Sequence, residues 1–250
     1  MKKTHLITML IVIALLVSAS TPLPGILASP GAVAPDLGAA ESFVALASST
    51  VTNTGLGTFY GDVGVSPGTE VVGILPSMVI NGAIHIADTL AGQAQTDANT
   101  AYNMLAGQAC GTNLTDLDLG GMTLQPGVYC FDTSAQLTGA LVLDAMNNPD
   151  AVWVFQIGST LTTASASTVT VINGGKALNT YWQVGSSATL GTGTCFKGNI
   201  LAYASITLDT GASLTGRALS LNGAVTMETN GSTIITRTPL LPIYLPIIQR

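Results

Sequence analysis

The sequence predicts an all-β-dominated fold: a right-handed, three-sided β-solenoid with one long helix, about residues 86–109, packed alongside. Three observations carry this expectation. A Thr-aliphatic-x-Thr pattern recurs through the C-terminal half, each copy follows a short apolar strand, and a single stretch of helical periodicity interrupts a chain otherwise punctuated by Gly, Asn and Pro. Of the 250 residues, 47% are hydrophobic and only 8% are charged. Low charge alone would suit a disordered chain, but disorder also requires low hydrophobicity, so this chain should fold.

The first element is a targeting signal. Met1-Lys2-Lys3 precedes an apolar run from Leu6 to Val17 and a small, Pro-containing stretch from Ser18 to Ser29, the three parts of a secretory signal peptide over residues 1–28. Cleavage after Ala19 or Ala28 fits this layout, and the run is shorter than a bilayer-spanning helix needs. A retained N-terminal anchor is the alternative. The expected location is therefore secreted and extracellular, with cell-surface association left open.

Without Lys2 and Lys3, five basic residues (Lys176, Lys197, Arg217, Arg237, Arg250) remain against thirteen acids. Between Pro30 and Gly175 there is no Lys or Arg at all. A cationic groove for phosphates has nothing to be built from, which excludes nucleic acid as a partner. The three cysteines are Cys110, Cys130 and Cys195, and an odd count leaves at least one free or intermolecular. In an exported protein a Cys110–Cys130 disulfide would close a short loop; two free thiols are the other reading. No Cys-x-x-Cys pair exists and His85 is the one histidine after the signal, so neither a metal nor a cofactor is expected.

The folded domain is expected over residues 36–238. Its start, Ser42 to Gly64, reads as short strands broken by Asn and Gly. From Ile84 to Ala109 there is no Pro, and Leu90, Ala94, Ala98, Ala101, Tyr102 and Leu105 recur at helical spacing opposite Gln93, Gln95, Asp97, Asn99 and Asn103. Gly107 or Gly111 supplies a C-terminal stop.

After the helix the chain re-enters strand through Pro126-Gly127. The segments Thr160-Leu161-Thr162-Thr163, Thr189-Leu190-Gly191-Thr192, Thr207-Leu208-Asp209-Thr210 and Thr226-Met227-Glu228-Thr229 then repeat at offsets of 29, 18 and 19 residues. Each is preceded by an apolar strand (Val152–Ile157, Tyr181–Val184, Ile200–Tyr203, Ala218–Leu221), and most are followed by a third. Three strands per period describe a three-sided coil. Period-2 alternation sends Leu161, Leu190, Leu208 and Met227 inward and the threonines outward, on a lattice of about 4.8 Å between coils and about 6.8 Å along the strand. A second, less regular face would carry Thr168, Thr170, Ser213 and Thr215, interrupted by Phe196 and Lys197. The strands holding Trp153, Phe155 and Trp182 are expected beneath the helix.

The motifs Gly-Asp-Val-Gly-Val-Ser-Pro-Gly at 61–68, Leu-Gly-Gly-Met-Thr-Leu-Gln-Pro-Gly-Val-Tyr at 119–129, Val-Trp-Val-Phe-Gln-Ile-Gly-Ser at 152–159, Tyr-Trp-Gln-Val-Gly-Ser-Ser-Ala at 181–188 and Phe-Lys-Gly-Asn-Ile-Leu-Ala at 196–202 together resemble the ice-binding proteins of cold-adapted microbes. The resemblance covers about Leu37 to Thr236. It implies a discontinuous solenoid, whose N- and C-terminal coils meet in space although the helix separates them in sequence. It also implies a flat face that adsorbs to an ice crystal surface, inhibits recrystallisation and depresses freezing modestly. The family's ice face is not strictly repetitive, so its assignment here rests on periodicity: Thr160, Thr162, Thr189, Thr192, Thr207, Thr210, Thr226 and Thr229. Asp209 and Glu228 depart from the uncharged ideal.

Two other functional classes use β-solenoids. A solenoid enzyme would need clustered carboxylates or a triad, whereas Asp116, Asp118, Asp132, Asp144 and Asp150 are scattered and His85 sits at the helix start, where it caps or packs; no enzyme activity is expected. A cell-surface adhesion or structural module is the alternative. It draws on the Pro-rich apolar tail at residues 239–250, which either covers the last coil or attaches the protein to the cell surface. The protein is otherwise expected to be a monomer.

Overall fold

A computed structural model describes residues 31–228 and the backbone of residues 233–236. The signal segment, Thr229 and the tail at 239–250 lie outside the described residues. Every named strand pair is parallel, and the strands sort onto three faces around one interior.

The first face is a seven-stranded sheet in the order Glu70–Val72, Thr50–Asn53, Val225–Met227, Ile206–Leu208, Ala188–Leu190, Leu161–Thr163, Ala135–Leu137. That order makes the solenoid discontinuous. The two N-terminal coils stack on the last C-terminal coil, and Thr52 pairs with Thr226, 174 residues later. The second and third faces share the two eight-residue strands Cys195–Ala202 and Ser213–Ser220. These strands turn the corner at Gly198 and Gly216, whose φ values of 115° and 154° belong to glycine. A Cβ on Gly216 would collide with the Gly198 carbonyl oxygen one coil below.

The interior is filled by side chains of alternating parity. Tyr129, Phe155, Trp182 and Phe196 form a stack, with ring centroids 5.4, 3.9 and 4.8 Å apart in succession. The strands of Trp153, Phe155 and Trp182 lie beneath the helix as the sequence predicts, and these three side chains themselves point into the coil. Their strands are indeed covered on both sides, and the outward residues Val128, Val154, Tyr181, Leu201 and Leu219 join the helix stripe and Leu37, Ala40 and Phe43 in a second buried cluster. Phe196 is likewise buried in the interior and interrupts no outer face; Cys195 takes the exposed position instead. The indoles find acceptors at the corners, Trp153 Nε1 donating to Leu124 O and Trp182 Nε1 to Lys197 O.

The helix runs from Thr89 to Ala106, shorter than the stretch predicted. Ile84–Ile86 instead forms a strand on Asp62–Val65. Asp88 caps the helix, accepting from Ala91 N–H at 2.8 Å, and His85 Nδ1 holds the other carboxylate oxygen at 2.7 Å. The buried stripe is Ala91, Ala94, Ala98, Ala101 and Leu105, while Leu90 is exposed. Alanines on this stripe let the helix lie close to the sheet. Eighteen residues span about 27 Å, close to the six coil steps of about 4.8 Å that separate the strand at Asp62 from the strand at Gly127. The helix thus carries the chain from one end of the stack to the other. At its far end Gln156 Nε2 donates to the carbonyls of Leu105 and Gln108, satisfying groups the helix leaves open.

Cys110 and Cys130 are bonded, with Cα atoms 5.9 Å apart, tying the segment after the helix to the strand Gly127–Phe131. Closing a loop with sequence separation 20 should contribute about 3 kcal/mol. Denaturant unfolding of Cys110→Ala/Cys130→Ala is expected to show that loss, and a reductant should bring wild type to the same value. Equal stability of wild type and variant would refute it.

The cap carries a pH signature. The Ala91 N–H and the His85 ring hold the Asp88 carboxyl below its usual range. Because the folded pKa is depressed, the stabilisation is complete above the unfolded value near 3.8 and is lost as pH falls through the lower folded value. Asp88→Asn keeps a capping oxygen but does not titrate, so its thermal midpoint should fall less than that of wild type on acidification from pH 5 to about 2. Parallel acid profiles would contradict this.

Candidate functional site

The alternation on the first sheet places Val51, Val225, Ile206, Ala188, Leu161 and Ala135 inward, all buried. Asn53, Met227, Leu208, Leu190, Thr163 and Leu137 form the second inward column. Between the two columns one residue per strand points out: Val72, Thr52, Thr226, Thr207, Thr189, Thr162 and Gln136, each paired in register with the next. Five consecutive threonines therefore stand in one unbroken file, about 19 Å long at about 4.8 Å per step. Thr52, Thr189, Thr207 and Thr226 are half-buried by their neighbours and Thr162 is exposed.

Beside this file, two residues earlier on each strand, runs a second of small side chains: Thr50, Ala224, Ser205, Ser187, Thr160 and Ser134. Its hydroxyls are partly committed across coils. Thr160 Oγ1 donates to Ser134 Oγ at 2.8 Å, and Ser205 Oγ accepts from Ala224 N–H. Acids appear only around the margin: Glu70 and Asp118 at the two ends of the sheet, Asp209 and Glu228 on adjacent coils where the strands leave it. Hydrogen bonds from Gly120 N–H and Thr138 N–H and from the Thr138 hydroxyl hold the Asp118 carboxyl low against the opposing effect of partial burial.

A polar residue in the inner column is fully paired. Thr163 Oγ1 is 2.8 Å from Thr194 Oγ1 and accepts from Gly191 N–H at 2.9 Å, while Thr194 Oγ1 donates to Ala164 O. This buried bridge fixes the corner where two adjacent coils leave the face, so the threonines above it are held on a stiff support.

Of the eight threonines singled out from the sequence, the structure brings Thr162, Thr189, Thr207 and Thr226 into one file. Thr160 stands in the adjacent one. Thr192 and Thr210 lie in the turns after their strands rather than on the face, and Thr229 is outside the described residues. Thr52 was missed, although Thr50-Val51-Thr52-Asn53 shows the same outward-inward-outward alternation. Leu161, expected to stack on Leu190, is inward but sits one column over, paired with Ala188.

The rival face is less continuous. Thr168, Cys195 and Ser213 share one outward file, and Lys197 and Thr215 share the next. Thr168–Ile172 pairs with Ala140–Asp144 at five positions but with Cys195–Ala202 only at Thr168↔Cys195. The sheet splits there, at the loop carrying Asn173 and the short 3-10 turn Ala177–Asn179.

A concavity of about 600 Å³ beside the disulfide is lined by Tyr102, Asn113, Asp132, Gln156 and Gln183. It holds a single carboxylate and no histidine. Among the described residues, no group of three or more His, Cys, Asp or Glu side chains is placed to hold a metal ion.

Comparison with known proteins gives a uniform result. The model of the family described as Ice-binding-like matches residues 45–233. An ice-binding protein from Nostoc sp. (strain HG1) is 57% identical over 195 residues, covering 78% of this chain and 72% of the relative. The crystal structure of the ice-binding protein of the Antarctic ascomycete Antarctomyces psychrotrophicus superposes with a TM-score of 0.77 at 40% identity, covering 82% of this chain and 98% of that one. An ice-binding protein from an Antarctic biological consortium superposes equally well, with a TM-score of 0.77 at 44% identity, over 82% and 92% of the two chains.

Proposed function

The chain belongs to the ice-binding-like family, and from that premise we propose that it adsorbs to ice through the five-threonine face, slowing crystal growth and recrystallisation. One observation carries the choice of face: Thr52, Thr226, Thr207, Thr189 and Thr162 form an in-register file with no large or charged residue inside it.

Ice presents neither a charge nor a pocket, so adsorption comes from a broad rigid surface whose hydration layer merges with the lattice. Each threonine supplies a methyl that restrains water and a hydroxyl that anchors it. Its β-branch on a strand is stiff at χ1, so little entropy is lost when the layer orders. The sheet below is rigid because both inward columns are buried. Charged groups would hold hydration shells of their own, and here they stand only at the margin. This is binding without a catalytic step.

The signal-like N-terminus supports work outside the cytoplasm, where extracellular ice forms, and the disulfide suits that oxidising setting. Adsorption needs one face of one chain, so the acting species is a monomer. The test is direct: purified protein should shape single ice crystals and keep grains small on annealing at sub-zero temperature. Folded protein that leaves crystals round and grains coarsening as in buffer would refute the reading.

A further inference from the structure

The two ends of the solenoid differ. At the end beyond the helix C-terminus, the edge strands Thr112–Asn113 and Thr123–Leu124 are two residues each, and the intervening turn carries Thr115, Asp116 and Asp118. Short edges bearing acids resist further pairing. At the opposite end, the last coil presents three free edges, Glu70–Val72, Val79–Ile80 and Ile84–Ile86, one on each face. Beside the exposed Glu70 it carries several exposed apolar side chains: Val72 is 49% exposed, Leu75 59%, Ile80 37% and Ile86 48%, with Leu56 of the next coil 76%. Ile74 and Val79 are buried beneath them. Backbone edges and apolar side chains open at one end of a solenoid call for a cap.

We propose that the C-terminal segment 239–250 of the same chain is that cap, folding back over the coil formed by residues 70–86. The point of departure favours it. Strand Thr233–Thr236 pairs with Gly57–Tyr60, which pairs with Val79–Ile80, so the described chain stops two strands, about 10 Å, from the open edge. A twelve-residue segment reaches about 40 Å when extended, enough to cross the end of the coil. Its chemistry also fits. Leu240, Leu241, Ile243, Leu245, Ile247 and Ile248 match an apolar rim, and no charge precedes Arg250. Pro239, Pro242 and Pro246 lack an N–H, so a segment lying on the edge terminates the sheet instead of offering a new one.

Amide hydrogen exchange on the full chain, on a chain ending at Thr238, and on full-length Leu241→Asp/Leu245→Asp provides the test. The double variant alters only tail residues and so leaves the solenoid to fold. Amides of residues 70–86 are expected to exchange about tenfold faster in both altered chains than in wild type, with residues 206–227 unchanged and the wild-type protection independent of protein concentration. Equal rates in all three chains would overturn the proposal, leaving the tail free for attachment elsewhere. Protection that grows with concentration would also overturn it, making a second copy the occupant.

Discussion

Thr207→Tyr is expected to raise the concentration needed to inhibit recrystallisation by at least about tenfold, equivalent to ~1.4 kcal/mol of adsorption free energy. Thr207 is the central residue of the file, with Thr226 and Thr52 on one side and Thr189 and Thr162 on the other. A phenol there stands above the plane and lifts the neighbouring coils from the crystal, so the loss extends beyond one contact. Because Thr207 points outward, the substitution should change folding stability by less than about 0.5 kcal/mol. An unchanged thermal midpoint beside a large loss of activity separates a binding defect from unfolding. Thr168→Tyr, on the divided face, should leave activity intact.

Trp182→Ala should have the largest effect on stability, roughly 3–5 kcal/mol. Trp182 is fully buried, stacks on Phe155 at 3.9 Å with an interplanar angle of 8°, meets Phe196 at 4.8 Å and donates to Lys197 O. Removing it opens a cavity between two coils and unseats the corner at Gly198, whose backbone lies against the indole. Domain stabilities are of order 5–15 kcal/mol, so this loss should move the denaturant midpoint far below that of wild type. A shift no greater than that of an exposed substitution would mean that the stack does not hold the coils together.

The class of fold was legible from the spacing of short strands and the single amphipathic stretch, because both periods are set by local backbone geometry. Register was less legible. A slip of two residues preserves which side chains face in and out, so the repeat aligned Thr160 with Thr189, whereas the pairing Leu161↔Ala188 puts Thr162 there. Thr192 and Thr210 illustrate the opposite parity: residues three apart on a strand face opposite ways, and these two instead fall in the turns. Thr52 escaped notice because its neighbours on the face are supplied by coils across the helix, a contact that no local pattern encodes. That the strands of Trp153, Phe155 and Trp182 lie under the helix was legible from their apolar residues on both sides, but which side faces the helix was not, because a strand covered on both faces is apolar at every position and leaves no alternation to read. The helix start was overrun because Ile84-His85-Ile86 continues the apolar pattern, and it is the cap at Asp88 that marks the boundary.

The central claim is that the five-threonine face is the surface that meets ice. The most direct measurement is the fraction of each protein taken up into a slowly grown ice shell, for wild type, Thr207→Tyr and Thr168→Tyr side by side. Wild type and Thr168→Tyr should be incorporated, while Thr207→Tyr stays in the liquid. Incorporation of Thr207→Tyr equal to that of wild type would contradict the assignment of the face, and exclusion of folded wild type would contradict ice binding itself.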